Sequence, residues 1–264
     1  MFSSVEEQIR SPAIALTYHL APWDRPVFQA NTAAISSISV RTAEAANAFA
    51  SFRDWCTRNH VVLVSCRLAQ DQLLECAFLE AQGFRFIELN YRPTLSGLGG
   101  FHDDAEISIC PAVPSDLAEI SGFAARIFAA GRIHLDPQVG PEIGNRRYAA
   151  WAANAFHHPG QRVLKCLMDG RIVAFMVVEQ PTPASRFRSL VGLAPGLTGQ
   201  GLGRRVWNAM LAFHHREGVD EVSTSISSHN VAAHNLYASL GFRFPAPGIT
   251  LHWCPFGPVN APAS

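Results

Sequence analysis

No glycine occurs before Gly83, although the chain of 264 residues holds 19 of them. A loop that cradles phosphate needs backbone unshielded by side chains, so the first third of the chain is not expected to carry one. Concentrated charge is also missing. Lys plus Arg and Asp plus Glu stand at 21 each, and no basic run is present. Nucleic acid and anionic membrane surfaces are therefore not expected as main partners, since both call for clustered positive charge. A local basic spot is expected at Arg204 and Arg205.

Cysteine is sparse and scattered. Cys56, Cys66, Cys76, Cys110, Cys166 and Cys254 form no CxxC pair, so neither a zinc ribbon nor a redox motif is supported. Glu6 and Glu7 stand where a secretory signal would carry positive charge. Apolar runs such as Ile172 to Val178 are strand-sized and too short to span a bilayer. The expectation is a cytoplasmic protein with its cysteines as small core residues. Metal is not expected either. His157-His158 and His214-His215 are adjacent pairs whose members point apart on a helix, with no carboxylate or thiol at ligand spacing. No GxSxG elbow is present for a serine nucleophile.

What is present is ample core material: 48% hydrophobic against 16% charged residues, enough for one or two domains. Ser96-Gly97-Leu98-Gly99-Gly100 reads as a linker. It suggests a smaller first region over 1–100, a second domain over 105–254 and a flexible tail over 255–264, rich in Pro, Ala and Gly. The second region alternates strands and helices. Ile107 to Cys110 is a short strand, and Ser115 or Asp116 caps a helix reaching about Ala130. Tyr148 to Phe156 reads as helix. Val163 to Leu167 and Ile172 to Glu179 flank a hairpin turn centred on Asp169-Gly170, and Arg188 to Leu193 follows as a strand. Leu202 to Arg216 is an amphipathic helix with Leu202, Val206, Met210 and Phe213 on one stripe. Glu221 to Ile226 alternates as a strand. Asn230 to Leu240 is helical and ends at Gly241, the expected left-handed cap.

The first region is harder to divide, yet its end echoes the end of the second. Gly83-Phe84-Arg85-Phe86 matches Gly241-Phe242-Arg243-Phe244, and each follows a strand and a helix. This points to a degenerate repeat whose first copy lacks the loop and is structural or shapes a substrate pocket.

The segment from Ala194 to Arg205 joins a strand to a helix. Such a junction offers unpaired amides and the positive end of a helix dipole, which suit a phosphate. It is not a Walker A loop, because Leu202 follows Gly201 where lysine is needed. It is not a dinucleotide fingerprint, because Arg204 stands at the sixth position from Gly199. A purely structural turn remains the competing reading of the loop alone.

The same stretch resembles the cofactor loop of the GCN5-related N-acetyltransferase (GNAT) superfamily, with Gly201 and Gly203 at its two small positions. Thr198 departs from the usual Gln or Arg. A second block agrees: Asn230, Ala233, Leu236-Tyr237 and Gly241-Phe242 match the family's distal pattern at the same spacings. The resemblance covers about 106–253. It implies an α/β GNAT fold, a mixed and mostly antiparallel sheet flanked by helices, beside a smaller GNAT-like first region. It also implies acetyl-CoA as co-substrate, with Leu193, Ala194, Thr198, Gly199, Gln200, Gly201, Leu202, Gly203, Arg204, Asn230, Ala233 and Tyr237 as its contacts. The expected activity is acetyl transfer to the primary amine of a small molecule, and a homodimer is compatible with it. A finer resemblance is to the TDP-fucosamine acetyltransferases, which act on a nucleotide-linked amino sugar. It rests on Ala21-Pro22-Trp23-Asp24, Gly83-Phe84 and Ile133-His134-Leu135-Asp136-Pro137 with Tyr148 and Trp151.

Acetyl transfer from a thioester needs a neutral amine, a polarised carbonyl and a proton for the departing thiolate. Tyr237 suits the last role, since a phenol of pKa about 10 stays protonated near neutrality while a thiol sits near 8.5. It also lies on an apolar stripe, where it would serve as core. A backbone N–H near Leu193 is the expected polariser, where the family's strand splays from its neighbour. Asn230 is an ordinary N-cap as well as a family contact, and Asn235 is a weaker candidate for facing the cofactor. The base is open: Glu179, His134, Asp136, or a chain of water molecules. His134, Asp136 and Glu179 are the candidate acceptor-side residues. The alternatives are a non-catalytic acyl-CoA-binding protein, or a GNAT acting on an amino acid, a drug or a protein N-terminus.

Overall fold

A computed structural model describes residues 5–259. The chain order is β1 (Glu7–Arg10), β2 (Ile14–Leu20), α1 (Arg25–Phe28), β3 (Asn31–Val40), α2 (Ala45–Arg58), β4 (Val61–Ala69), α3 (Leu73–Ala81), β5 (Arg85–Tyr91) and β6 (Thr94–Ser96). It continues with β7 (Ser108–Pro111), α4 (Leu117–Ile127), α5 (Arg132–Leu135), α6 (Pro141–Ala155), β8 (Gln161–Met168), β9 (Arg171–Thr182), β10 (Ser185–Leu193) and α7 (Leu202–Arg216). It ends with β11 (Glu221–Thr224), β12 (Ile226–Ser227), α8 (Val231–Ser239) and β13 (Gly248–Trp253). These fold as two compact units. One takes the described residues up to Asn90, Gly131–Gly144 and those from Ala246 on; the other takes Tyr91–Ala130 and Asn145–Pro245.

In the first unit the strands run in the order β1-β2-β3-β4-β13-β5. The β3 and β4 strands are parallel, joined through α2. Phe49, Phe52, Trp55 and Cys56 of α2 recur at helical spacing and are buried, so one face of the helix closes on the sheet. Tyr18 of β2 meets the rings of Phe52 and Trp55 edge-on at 4.8 Å. The β13 strand lies antiparallel between β4 and β5, with Ile249 opposite Leu68 on one side and Leu89 on the other. Leu251 is fully buried there. The units therefore do not divide the chain at a single linker: β13 completes the first sheet, and β6 pairs with β11 in the second. Of the expected flexible tail, the described part is held, because the Val259 N–H donates to the Gln138 carbonyl at 2.7 Å. Residues 260–264 lie outside the described residues.

In the second unit the order is β6-β11-β10-β9-β8-β7, antiparallel except for β10 with β11. The β8–β9 turn forms as expected, with Asp169 and Gly170 both at left-handed φ (+50° and +73°), whose twist matches the strands. Strand β9 is covered on both faces. Phe175 and Val177 pack with Ile120 and Ala124 of α4 and Ala152 of α6. Met176 and Val178 pack with Val206 and Met210 of α7 and Tyr237 of α8. Alternation along one strand thus feeds two cores.

His214, expected only as half of a pair of adjacent histidines, is fully buried in α7 with its Nδ1 3.0 Å from Glu217. Burial first, and then the Arg188 cation, push its pKa down to about 3 from 6.5. A depressed base stabilises the fold above its unfolded pKa and loses that stabilisation as pH falls through the folded one. The melting temperature is therefore expected to drop from pH 6.5 towards about 5, above the main carboxylate range. A His214→Leu variant should show a shallower drop in a thermal scan over the same buffers.

Candidate functional site

The parallel ladder between β10 and β11 is short. It runs from Ser185 opposite Glu221 to Arg188 opposite Thr224 and stops. Strand β10 continues to Leu193, paired only with β9, from Leu190 opposite Val177 to Leu193 opposite Ala174. A register shift between Arg188 and Leu190 marks the point of departure. Two parallel strands that part in this way leave a wedge with one backbone edge open, and backbone amides near Leu193 are available to a ligand there.

The wedge leads to the glycine loop. Ala194 is buried and anchored by its N–H to the Val173 carbonyl at 2.8 Å. Gly196, Gly199 and Gly201 all adopt left-handed φ, +83°, +81° and +76°. Thr198, Gly199, Gln200 and Gly201 are exposed, while Leu202 is buried and pins the helix start. The Gln200 side-chain amide donates to the Gly196 carbonyl at 3.1 Å and shapes the turn. Gly201 is the N-cap of α7 and supplies no side-chain cap, so the Leu202 and Gly203 amides are left to an incoming acceptor, while the Arg204 N–H donates to the Gly201 carbonyl at 3.2 Å. The predicted loop residues thus share one surface. Arg204 is exposed, with a long contact to the Ser239 carbonyl at 3.4 Å. Arg205 differs from the expectation of a basic spot: Asp104 and Glu106 pair with its guanidinium at 2.7 and 2.6 Å.

The two glycines at the helix start are not equivalent. A Cβ on Gly201 meets nothing within 4 Å, so the obstacle there is φ +76° alone. A Cβ on Gly203 would lie 3.6 Å from Leu236 and 3.9 Å from Leu193, an ordinary contact at a helical φ. Gly201→Val is expected to weaken coenzyme A binding by ~10-fold or more in calorimetry, through a backbone cost of about 1–2 kcal/mol and a distorted cradle. Gly203→Ala should stay within ~3-fold of wild type, which sets the scale of a tolerated change.

Asn230 caps α8, its side-chain oxygen accepting from the Ala233 N–H at 3.2 Å. Ala233 is half-buried on the same helix. Tyr237 is buried, with its ring edge-on to Trp207 at 4.8 Å and tilted against Phe242 at 5.2 Å. Thr224 is the polar side chain beside its hydroxyl. Thr224 in turn donates to the Arg188 carbonyl at 2.9 Å, so the phenol sits at the apex of the wedge. Burial pushes its pKa up to about 12 despite the opposing Arg188 cation, which keeps the phenol protonated.

The acceptor-side candidates are dispersed. Glu179 is half-buried at the end of β9 and accepts from the Gln161 side chain at 2.9 Å. His134 and Asp136 belong to the first unit. His134 lies over Gly144, where a Cβ would come within 2.5 Å of its ring. Asp136 corrects the expectation of an acceptor contact. It is 1% exposed, bonded to His252 Nδ1 at 2.7 Å and to the Gln138 N–H at 2.9 Å, while His252 Nε2 meets Arg132 at 2.7 Å. Its carboxylate holds the first unit together and is not turned to a ligand.

The first unit contains the counterpart of the wedge, already filled. Its parallel ladder between β3 and β4 ends at Ile35 opposite Cys66, while β3 continues to Val40. The Gln72 side chain donates to the Ile38 carbonyl at 3.4 Å, and the Val40 N–H donates to Glu75 at 3.1 Å. Side chains at the start of α3 thus take backbone groups of β3 that the second wedge leaves open. Sequence reasoning missed Arg188, Thr224 and Trp207. The available signal was an arginine set among apolar neighbours in a strand, Phe187-Arg188-Ser189-Leu190.

Among the described residues no three His, Cys, Asp or Glu side chains group as metal ligands, and no helix is long and apolar enough to cross a membrane.

A parallel pair that parts beside a glycine-capped helix defines the architecture of this α/β unit. Residues 129–242 match the Acetyltransferase (GNAT) family. Acetyltransferases of the family use acetyl-CoA as co-substrate. Mycothiol acetyltransferase of Beutenbergia cavernae is 34% identical over 74 residues, 28% of this chain and 25% of that protein's length. Among solved structures, a tandem GNAT protein from the clavulanic acid biosynthesis pathway has a TM-score of 0.60 at 16% identity, over 99% of this chain and 85% of its own. A GCN5-related N-acetyltransferase from Sphaerobacter thermophilus has a TM-score of 0.63 at 14% identity, over 92% and 81%. These structures share the fold.

Proposed function

We propose that the protein transfers an acetyl group from acetyl-CoA to the primary amine of a small molecule. The observation that carries this reading is the wedge between β10 and β11 opening beside the uncapped start of α7. Amides from Gly199 to Gly203 would hold the pyrophosphate, with the exposed Arg204 side chain and the helix dipole favouring its charge. The open edge of β10 near Leu193 would align the pantetheine arm and offer an N–H to the thioester oxygen. Tyr237 would protonate the leaving thiolate. Glu179 and His134 are the remaining candidates to receive the amine proton, directly or through water.

Within this reading, the acceptor is assigned to nucleotide-linked amino sugars, on the resemblance around His134, Tyr148 and Trp151. Tyr148 stacks between Phe128 at 4.6 Å and Trp151 at 6.0 Å, an aromatic row of the kind that suits a flat or sugar-bearing ligand. The test is thiol release from acetyl-CoA with a panel of amines: nucleotide-linked amino sugars, free amino sugars, amino acids, aminoglycosides and peptide N-termini. Release with the first group alone supports the assignment. Coenzyme A heat in calorimetry without thiol release from any amine would favour the non-catalytic binder.

A further inference from the structure

We propose that Arg188 is a positioning residue for the acid step, its sealed guanidinium holding the negative charge that Tyr237 acquires on protonating the leaving thiolate. This rests on the acetyl-transfer reading above and goes beyond it.

Arg188 has no exposed surface, and none of its three guanidinium nitrogens has a hydrogen-bond partner. Its Cζ lies 4.4 Å from the centre of the Trp207 ring, and the same indole meets Tyr237 edge-on at 4.8 Å. Thr224 lies beside the phenol and donates to the Arg188 carbonyl at 2.9 Å. A cation kept for architecture normally gathers a fork of acceptors, because burying it without them is costly. Here it has an aromatic face and a phenol. A methionine would fill that space without the penalty, so the charge calls for an explanation outside the resting fold.

Turnover supplies one. When the O–H bond of Tyr237 breaks and an S–H bond forms on coenzyme A, a phenolate remains on a side chain only 6% exposed. The proton that the attacking amine sheds then returns to the phenolate, and no other reactant is needed. The remaining titratable groups facing Arg188 are neutral. Burial pushes the Cys166 thiol up to about 12 and His214 down to about 3. Among the described residues, Arg188 is the charge next to the phenol, and it stays protonated near neutrality although burial lowers it to about 9.

The test is a double-mutant cycle on the full chain with Arg188→Met, Arg188→Lys, Tyr237→Phe and the combined variants. It reads kcat, coenzyme A affinity and melting temperature. Arg188→Met is expected to lower kcat by ~10–100-fold with coenzyme A affinity within ~3-fold of wild type. Its melting temperature should rise by about 3 °C or more, since an unpaired charge has gone. Arg188→Lys should fall between. Added to Tyr237→Phe, either change should cost less than ~2-fold more, because the charge to be held no longer forms. Full kcat in Arg188→Met, independent losses in the double variants, or an Arg188→Met chain that does not fold would each overturn the inference. Thiol release by the wild type is read first. Its absence would sink the acetyl-transfer reading itself, whereas turnover without coupling would sink the role of Arg188 alone.

Discussion

Tyr237→Phe is expected to lower kcat by ~10²-fold or more while leaving the coenzyme A dissociation constant within ~3-fold of wild type. The substitution removes one oxygen. The ring keeps its edge-on contact with Trp207 and its tilt against Phe242, so the core between α7 and α8 is preserved. Thr224 keeps its bond to the Arg188 carbonyl, so stability should change by no more than about 1 kcal/mol. What disappears is the proton at the apex of the wedge. Because burial holds the phenol's pKa at about 12, deprotonation of Tyr237 should not limit the wild-type rate in mildly alkaline buffers. Steady-state rates at saturating acetyl-CoA with a melting curve check both statements. A variant that turned over at the wild-type rate would return Tyr237 to a packing role.

Asp136→Ala should destabilise the first unit by about 3–5 kcal/mol, the usual result of removing one partner from a buried charged array. The carboxylate is bonded to His252 at 2.7 Å and to the Gln138 N–H at 2.9 Å, and Arg132 reaches the other face of His252 at 2.7 Å. Without Asp136, the imidazole and guanidinium remain in a site where His252 is 1% exposed. Urea unfolding at neutral pH measures the loss. Asp136→Asn keeps the shape and should lose less. If Asp136 contacted an acceptor, the Asn variant would instead raise the acceptor KM with the unfolding midpoint unchanged.

The second unit was legible in sequence where local chemistry repeats itself. The helix expected from Leu202 to Arg216 forms over those residues, and the helix after Asn230 has that residue as its cap. Gly241 takes the left-handed φ of +88° expected of it, as Gly83 does at +93° in the matching place of the first unit. Glycines, caps and a stripe of period near 3.6 are short-range signals, and a single sequence carries them. Pairing between distant strands is different. Nothing within Gly248–Trp253 says that it belongs between β4 and β5, because an alternating strand suits any sheet with an open place. The part of the site borne by the loop was legible for the first reason. The Asp136–His252–Arg132 array and the Arg188–Trp207–Tyr237 group escaped for the second, since their members come from separate stretches of chain.

The placement of β13 has a consequence for biosynthesis. Until residue 253 has left the ribosome, β4 and β5 have no common neighbour, and each offers the nascent chain an unpaired edge. The second unit needs nothing beyond Pro245 and can close earlier. The unit translated first is thus finished last. A stall or nonsense codon shortly before Gly248 would release a chain with its glycine loop in place and its opening sheet unsealed, a species prone to self-association.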